Sequence, residues 1–175
     1  MAYCLYITST LKPAIIWLRL GEWLRLGEDA IDEENNIVKN FRSTCPINCS
    51  LELIGDKWTL LIMRDILLHN KRTFKEFANS DEGIATNILS NRLAKLEEHG
   101  IITKSKPPDN KKVNIYAPTS RGLDLAPVVL ELALWCGQHK MHFNPDIPEE
   151  KIAGARSYQQ DRDAVIEQIK GQFNE

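Results

Sequence analysis

The chain has 175 residues and a mass of 20.0 kDa, enough for one domain of ordinary size, with or without extensions. It is 43% apolar and 26% charged with a formal net charge of −2, a soluble globular balance that excludes wholesale disorder and shows no overall basic excess. Its four cysteines have neither C-x-x-C spacing nor the density of a disulfide scaffold, so a reducing cytoplasm is the expected compartment. No apolar run approaches the ~20 residues of a membrane span, and an N-terminus interrupted by Lys12, Pro13 and Arg19, without a basic start, does not read as a signal peptide.

In chain order, the N-terminal stretch holds a short repeat, Trp17-Leu-Arg-Leu-Gly-Glu22 and then Trp23-Leu-Arg-Leu-Gly-Glu28. Two copies of six residues are too few for a solenoid. They read as an arm whose Trp and Leu residues pack on the main domain, or as a partner-binding or membrane-surface arm. Residues 28–36 are acidic and polar, a linker or helix start. Charge is unevenly spread: residues 64–112 carry +3, whereas 1–44, 45–63, 113–140 and 141–175 carry −1, −1, 0 and −3. A locally basic face can bind a phosphate backbone on a near-neutral protein, although such a block also suits an ordinary solvated surface.

From Cys45 the texture becomes densely apolar. The pattern predicts helices over about 47–54 and 57–68, broken at Gly55-Asp56. Thr73 followed by Glu76 is a capping-box pattern for a short helix, residues 80–83 are a turn, and 85–99 is a strong helix with Gly100 at its left-handed C-cap. Residues 101–106 read as a strand, 107–110 as a turn, and 112–117 as the returning strand, with Val113 and Ile115 on its apolar face. Thr119 to Gly122 lead into a last core helix, about 123–139. Pro145 and Pro148 break the chain beyond that helix, and a mixed-charge helix around 158–172 is expected to be exposed.

This order, helix, helix, short helix, turn, helix, hairpin, helix, is a winged helix-turn-helix: mainly α with a small β-hairpin, and with N- and C-terminal extensions. In such a fold one helix enters the major groove and a basic hairpin reaches the flanking phosphates. At about 100° per residue, Leu89, Leu93 and Leu96 form a narrow apolar stripe and Asn87, Asn91 and Ala94 fall opposite. Thr86, Asn87, Ser90 and Asn91 are therefore the candidates for bases or phosphates. Arg92 and Lys95 are candidates for phosphate, with Lys104, Lys106, Lys111 and Lys112 as the wing. An ordinary amphipathic helix explains the polar face equally well when taken alone; the basic hairpin directly after it favours DNA.

Cys45-Pro46-Ile47, the run Leu51-Glu52-Leu53-Ile54-Gly55-Asp56-Lys57-Trp58, Arg72-Thr73-Phe74-Lys75-Glu76, residues 83–93, Leu96 to Ile102, Tyr116-Ala117-Pro118-Thr119 and Arg121-Gly122 together resemble the HxlR-type transcriptional regulators. The resemblance covers about residues 45–140. It implies a bacterial, homodimeric, MarR-like DNA-binding regulator acting on a pseudopalindromic double-stranded operator, without a cofactor, and open to a small-molecule or oxidant effector. The implied dimer contact lies on the first core helix and on helix 123–139, which carries Leu130, Leu134 and Trp135. The expected division is an N-terminal arm or linker, 1–44; the DNA-binding and dimerisation domain, 45–140; and an acidic C-terminal extension, 141–175.

Cys45 occupies the position that some members of that family use to sense oxidants or electrophiles. A helix N-terminus favours a thiolate, which can pass to a sulfenic acid or a disulfide. A bridge between subunits fits disulfide geometry better than one between Cys45 and Cys49, and a capping or buried thiol without a sensing role is the plain alternative. Cys136 reads as core. His139, His142 and Cys136 make only a loose trio, so no metal is expected. Neither GxxxxGK[ST], GxGxxG nor GxSxG occurs, and nothing points to an enzyme. The rival readings are a winged-helix protein–protein adaptor that does not bind DNA and, behind it, a thiol redox protein without a resolving partner.

Overall fold

The structure, a computed structural model, describes residues 41–107 and 112–173. The arm with its Trp17–Glu28 repeat, the expected linker at 28–36, Cys4, Lys111 and the tip of the hairpin lie outside the described residues. Eight described helices and one hairpin run in order: α1 (Pro46–Ile54), α2 (Lys57–His69), α3 (Phe74–Ala78), α4 (Thr86–Glu98), β1 (Ile102–Ser105), β2 (Ile115–Pro118), α5 (Ser120–Leu123), α6 (Ala126–Phe143), α7 (Glu149–Gln160) and α8 (Arg162–Gly171). This is the winged helix-turn-helix that the pattern predicts.

The core is built around α2. Ile62, Met63, Ile66 and Leu67 are almost fully buried, and they meet Phe77 of α3, the Leu89–Leu93–Leu96 stripe of α4, Ile101 and Ile102, Tyr116, and Ala126, Val129 and Leu130 of α6. Asp56 starts α2 by accepting hydrogen bonds from the backbone N–H groups of Trp58 and Thr59 at 3.0 and 3.2 Å, which satisfies two donors that a helix start otherwise leaves open. Gly55 makes the joint with α1 feasible, because a Cβ there would stand 2.4 Å from the Leu51 carbonyl oxygen.

The hairpin is antiparallel, with Ile102 opposite Pro118 and Ser105 opposite Ile115. The returning strand begins later than the alternation of Val113 and Ile115 predicts. Its buried residue is Tyr116, which packs edge-to-face on Phe77 with ring centroids 6.0 Å apart. The aromatic ring claims the core side, and Val113 falls before the strand. A bridge between Thr73 and Ile115 and the Tyr116 N–H bond to the Arg72 carbonyl at 2.8 Å tie the base of the wing to the start of α3.

Two expectations change at the C-terminal end. The helix predicted over 123–139 is α6, which starts at Ala126, runs on to Phe143 and is preceded by a separate short helix, α5. Thr119 caps the four-residue α5 by accepting from the Gly122 N–H at 3.1 Å, and α6 restarts with Pro127 in its first turn, where a missing N–H costs nothing. The helix expected near 158–172 is α8, exposed along much of its length, and an unexpected helix, α7, precedes it and packs with it. Pro148 occupies the N-cap position of α7 rather than ending structure, and Asp161 caps α8 through the Ala164 N–H. Ile152, Ala155, Tyr158 and Ile169 are buried. Arg162 pairs with Glu131 of α6 at 2.7 Å, Lys151 reaches Asp81 at 3.4 Å, and Arg72 lies over the Phe173 ring, 4.3 Å from its centroid. The acidic extension thus packs back against both α6 and the helix-turn-helix.

Candidate nucleic-acid interface

The segment α3–turn–α4 is set by local chemistry. Thr73 Oγ1 accepts from the Glu76 N–H, and Glu76 returns an oxygen to the Thr73 N–H at 2.7 Å, a complete capping box. Gly83 takes φ +64° in the turn, a conformation that glycine adopts without steric cost. At the far end of α4, Gly100 takes φ +61°, its N–H bonds to the Glu97 carbonyl, and the Ile101 N–H bonds to that of Leu96. These are the two bonds of a Schellman motif.

A buried carboxylate anchors the turn to α2. Asp65 is 2% exposed. Its oxygens accept from Arg64, from Lys71 Nζ at 2.8 Å and from Ser80 Oγ at 2.5 Å, while Arg64 also grips Glu82. Burial pushes the Asp65 carboxyl up, but the hydrogen bonds from Lys71, Ser80 and Arg64 outweigh it and hold the group below its ordinary value. The tight turn on which the angle of α4 depends is therefore fastened by charge-assisted bonds as well as by packing.

α4 presents two unlike faces. Leu89, Leu93 and Leu96 are buried, whereas Thr86, Asn87, Ser90, Asn91, Ala94 and Lys95 are exposed. Lys104, Lys106 and Lys112 are exposed on the hairpin beside it. The candidate base- and phosphate-reading residues other than Arg92 and the undescribed Lys111 thus share the outer side of one helix and its wing. Arg92 is different. Its Nε donates to Asp56 Oδ1 at 2.9 Å and its Nη1 donates to Asn91 Oδ1 at 2.9 Å. The guanidinium expected on phosphate is engaged within the protein, because Asp56 at the start of α2 is held against α4. The Asp56 carboxyl is raised by burial but lowered further by the bonds from Thr59 and Arg92, for a net lowering.

Of the expected dimer residues, Leu130 and Leu134 are 2% and 7% exposed and lie inside the single chain, while Trp135 is 55% exposed. Helix α6 is apolar around much of its circumference, so spacing alone does not say which stripe faces the core. The outer stripe is Val128, Leu132, Trp135 and Phe143, with the Trp135, His139 and Phe143 rings in mutual contact. Ile47 and Leu51 of α1 are likewise exposed, and no residue of α1 is buried. The spacings 47/51 and 128/132/135 carry that signal in the sequence, but only once the core side of each helix is known. Cys45 is exposed at the N-cap of α1, and Cys49 Sγ donates to the Ser43 carbonyl at 3.4 Å. Among the described residues no group of three or more His, Cys, Asp or Glu is placed to hold a metal, and no helix is long and apolar enough to cross a membrane.

The described architecture has close counterparts. The chain is 32% identical over 88 residues to the uncharacterised HTH-type transcriptional regulator sll1512 of Synechocystis, covering 50% of this chain and 64%, just under two thirds, of that relative. It is 30% identical to the HTH-type transcriptional regulator YodB of Bacillus subtilis, covering 54% of this chain and 84% of YodB. Among solved structures, PA1607, described as a candidate transcription factor, superposes with a TM-score of 0.53 at 33% identity, covering 62% of this chain and 72% of its own. The redox regulator HypR in its reduced form superposes at 0.50 with 26% identity, covering 55% of this chain and 94% of its own. The HxlR-like helix-turn-helix model matches residues 53–144, and with that span, these relatives and the winged fold in agreement, the chain belongs to the HxlR-like helix-turn-helix family of transcriptional regulators.

Proposed function

We propose that this regulator binds operator DNA as a homodimer, with α4 in the major groove and the hairpin on the flanking backbone. The observation that carries the reading is the exposed face of α4. Asn87, Ser90 and Asn91 are small hydrogen-bonding side chains facing away from a leucine stripe, next to the exposed Lys95, Lys104, Lys106 and Lys112. Thr86, Asn87, Ser90 and Asn91 touch bases or phosphates, and the lysines, Lys111 included, take phosphate. Arg92, with both its bonds made inside the protein, is assigned to positioning rather than to phosphate.

Pairing uses the outer stripe of α6, centred on Trp135, together with Ile47 and Leu51 of α1. Exposed apolar residues on α1 and on the outer stripe of α6 suit a self-complementary contact between two copies. Such a dimer presents two α4 helices to the half-sites of a pseudopalindrome. The division into arm, 45–140 unit and C-terminal extension stays part of this proposal, with the extension bracing the unit from behind.

Cys45 adds an oxidant-sensing arm. It is exposed at the start of α1, beside the proposed pairing face, and HypR is a redox regulator of similar fold. An oxidant such as a peroxide takes two electrons and two protons from a pair of Cys45 thiols in the dimer, forming an intersubunit disulfide that changes how the two α4 helices are spaced.

The test is a titration of the purified chain against its own upstream DNA and against unrelated duplex of equal length, with thiols reduced and after mild peroxide treatment. Tighter binding to the upstream DNA that shifts on oxidation in the native chain, and not in Cys45→Ser, supports both parts. Selective binding indifferent to oxidation leaves the regulator and removes the switch. Binding no tighter than to unrelated DNA favours the adaptor reading, in which Asn87 and Asn91 are dispensable.

A further inference from the structure

We propose that Asp56 and Arg92 are positioning residues for base recognition: the series Asp56–Arg92–Asn91 fixes the Asn91 amide so that its nitrogen, not its oxygen, meets the base, which selects an acceptor-rich edge such as guanine O6 and N7. This rests on the DNA-binding reading above.

The two ends of an asparagine amide have opposite hydrogen-bonding character, and a half-turn about its last torsion exchanges them. An exposed Asn with no partner therefore offers either end to a base. Here Arg92 Nη1 donates to Asn91 Oδ1 at 2.9 Å, and a charge-assisted bond of that kind holds the oxygen on the arginine side. The arginine is itself held. Its Nε donates to Asp56 Oδ1 at 2.9 Å, and its side chain is only 24% exposed.

Asp56 in turn has little freedom. Oδ1 also accepts from the Trp58 and Thr59 N–H groups, and Oδ2 accepts from Thr59 Oγ1 at 2.5 Å. The carboxylate is thus built into the first turn of α2, the most buried of the described helices. The series transmits the rigidity of that helix to one side chain on the exposed face of α4. An adenine read by asparagine in the usual way uses both ends of the amide, accepting from N6 and donating to N7. Oδ1 keeps a second lone pair, but a second donor there would stand beside the guanidinium charge, so donation from Nδ2 is the favoured contact, and guanine presents two acceptors in the major groove against one on adenine.

The experiment is selection of binding sites from a randomised duplex library by the full chain, by Asn91→Ala, by Arg92→Lys and by Asp56→Ser, each first checked for a native circular dichroism spectrum and cooperative unfolding. Lysine keeps the charge but, as a single point, cannot hold Asp56 and Asn91 together. Serine keeps the N-cap of α2 but is too short to hold Arg92. The position at which Asn91→Ala flattens the motif is the base that Asn91 reads. We expect guanine there, with a preference of roughly tenfold, weakened about threefold or more by both Arg92→Lys and Asp56→Ser. The rest of the motif and the salt dependence of binding stay as they were.

An adenine at that position overturns the proposal. So does an unchanged preference in both positioning variants. Uniform weakening across all sequences in Arg92→Lys, with the salt slope reduced by about 1, makes Arg92 a phosphate contact and overturns it too. If the native chain enriches no motif at all, the DNA-binding reading falls first and this inference with it.

Discussion

Helices α1 and α2 are neighbours in sequence, joined at Gly55 and both rich in apolar residues, yet they stand at opposite extremes of burial. In α2, Met63, Ile66 and Leu67 are wholly inaccessible. In α1 no residue is buried, and Ile47 and Leu51 are 71% and 59% exposed. A helix this short is marginal without tertiary packing; α2 is stabilised by the core, whereas among the described residues α1 keeps Ile47 and Leu51 exposed and only Ile54 packs on the core. The same contrast runs through α6, whose inner stripe belongs to the core and whose outer stripe, Val128, Leu132, Trp135 and Phe143, is exposed.

The contrast is broken most directly on its buried side. Ile66→Ala should cost about 2–5 kcal/mol, as large-to-small changes in a tight core do, measured by urea denaturation. A loss well under 1 kcal/mol would mean that α2 is not the centre of the core. Asp65→Ala removes a buried carboxylate and leaves Lys71 and Arg64 without their shared partner, at a cost of roughly 2–4 kcal/mol.

The same carboxylate sets a pH dependence. Asp65 and Asp56 are held below the ordinary carboxylate value in the folded chain. Their contribution is therefore complete above the unfolded value of about 4 and is lost as pH falls through the lower folded values. Urea titrations at descending pH should show stability falling below about pH 4, and less steeply in Asp65→Asn.

At the joint itself, Gly55→Ala sets a Cβ 2.4 Å from the Leu51 carbonyl oxygen, so the last turn of α1 must shift, and should cost about 1–2 kcal/mol, with α1 becoming the first site of proteolysis while α2 stays protected. The smallest stability effect belongs to the exposed side. Leu51→Glu should change unfolding of the isolated chain by no more than about 0.5 kcal/mol, yet shift sedimentation toward monomer. A large loss of monomer stability would instead place Leu51 in the core.

The features legible in the sequence are local. The capping box of Thr73 and Glu76, the C-cap at Gly100 and the leucine stripe of α4 each involve residues within a few positions of one another, where helix geometry alone dictates who meets whom. The exposed polar face of α4 follows from that stripe by periodicity. Leu130 and Leu134, expected as pairing residues, are buried in the single chain, and spacing does not separate the two apolar stripes of that helix. Periodicity reports that a helix has two sides to cover and is silent on which side its own chain covers.

The amino-acid sequence by itself determined the order of elements, the caps that bound them and the family to which the chain belongs, because each is encoded in short-range spacing and residue type. Only the tertiary structure decided that Arg92 meets Asp56 across 36 positions of chain, that the C-terminal pair folds back to Arg72, and that Trp135 rather than Leu134 faces outward. The reason is that these contacts depend on how whole helices are set against one another. That arrangement is chosen by the packing of the entire core and is written in no single segment of it.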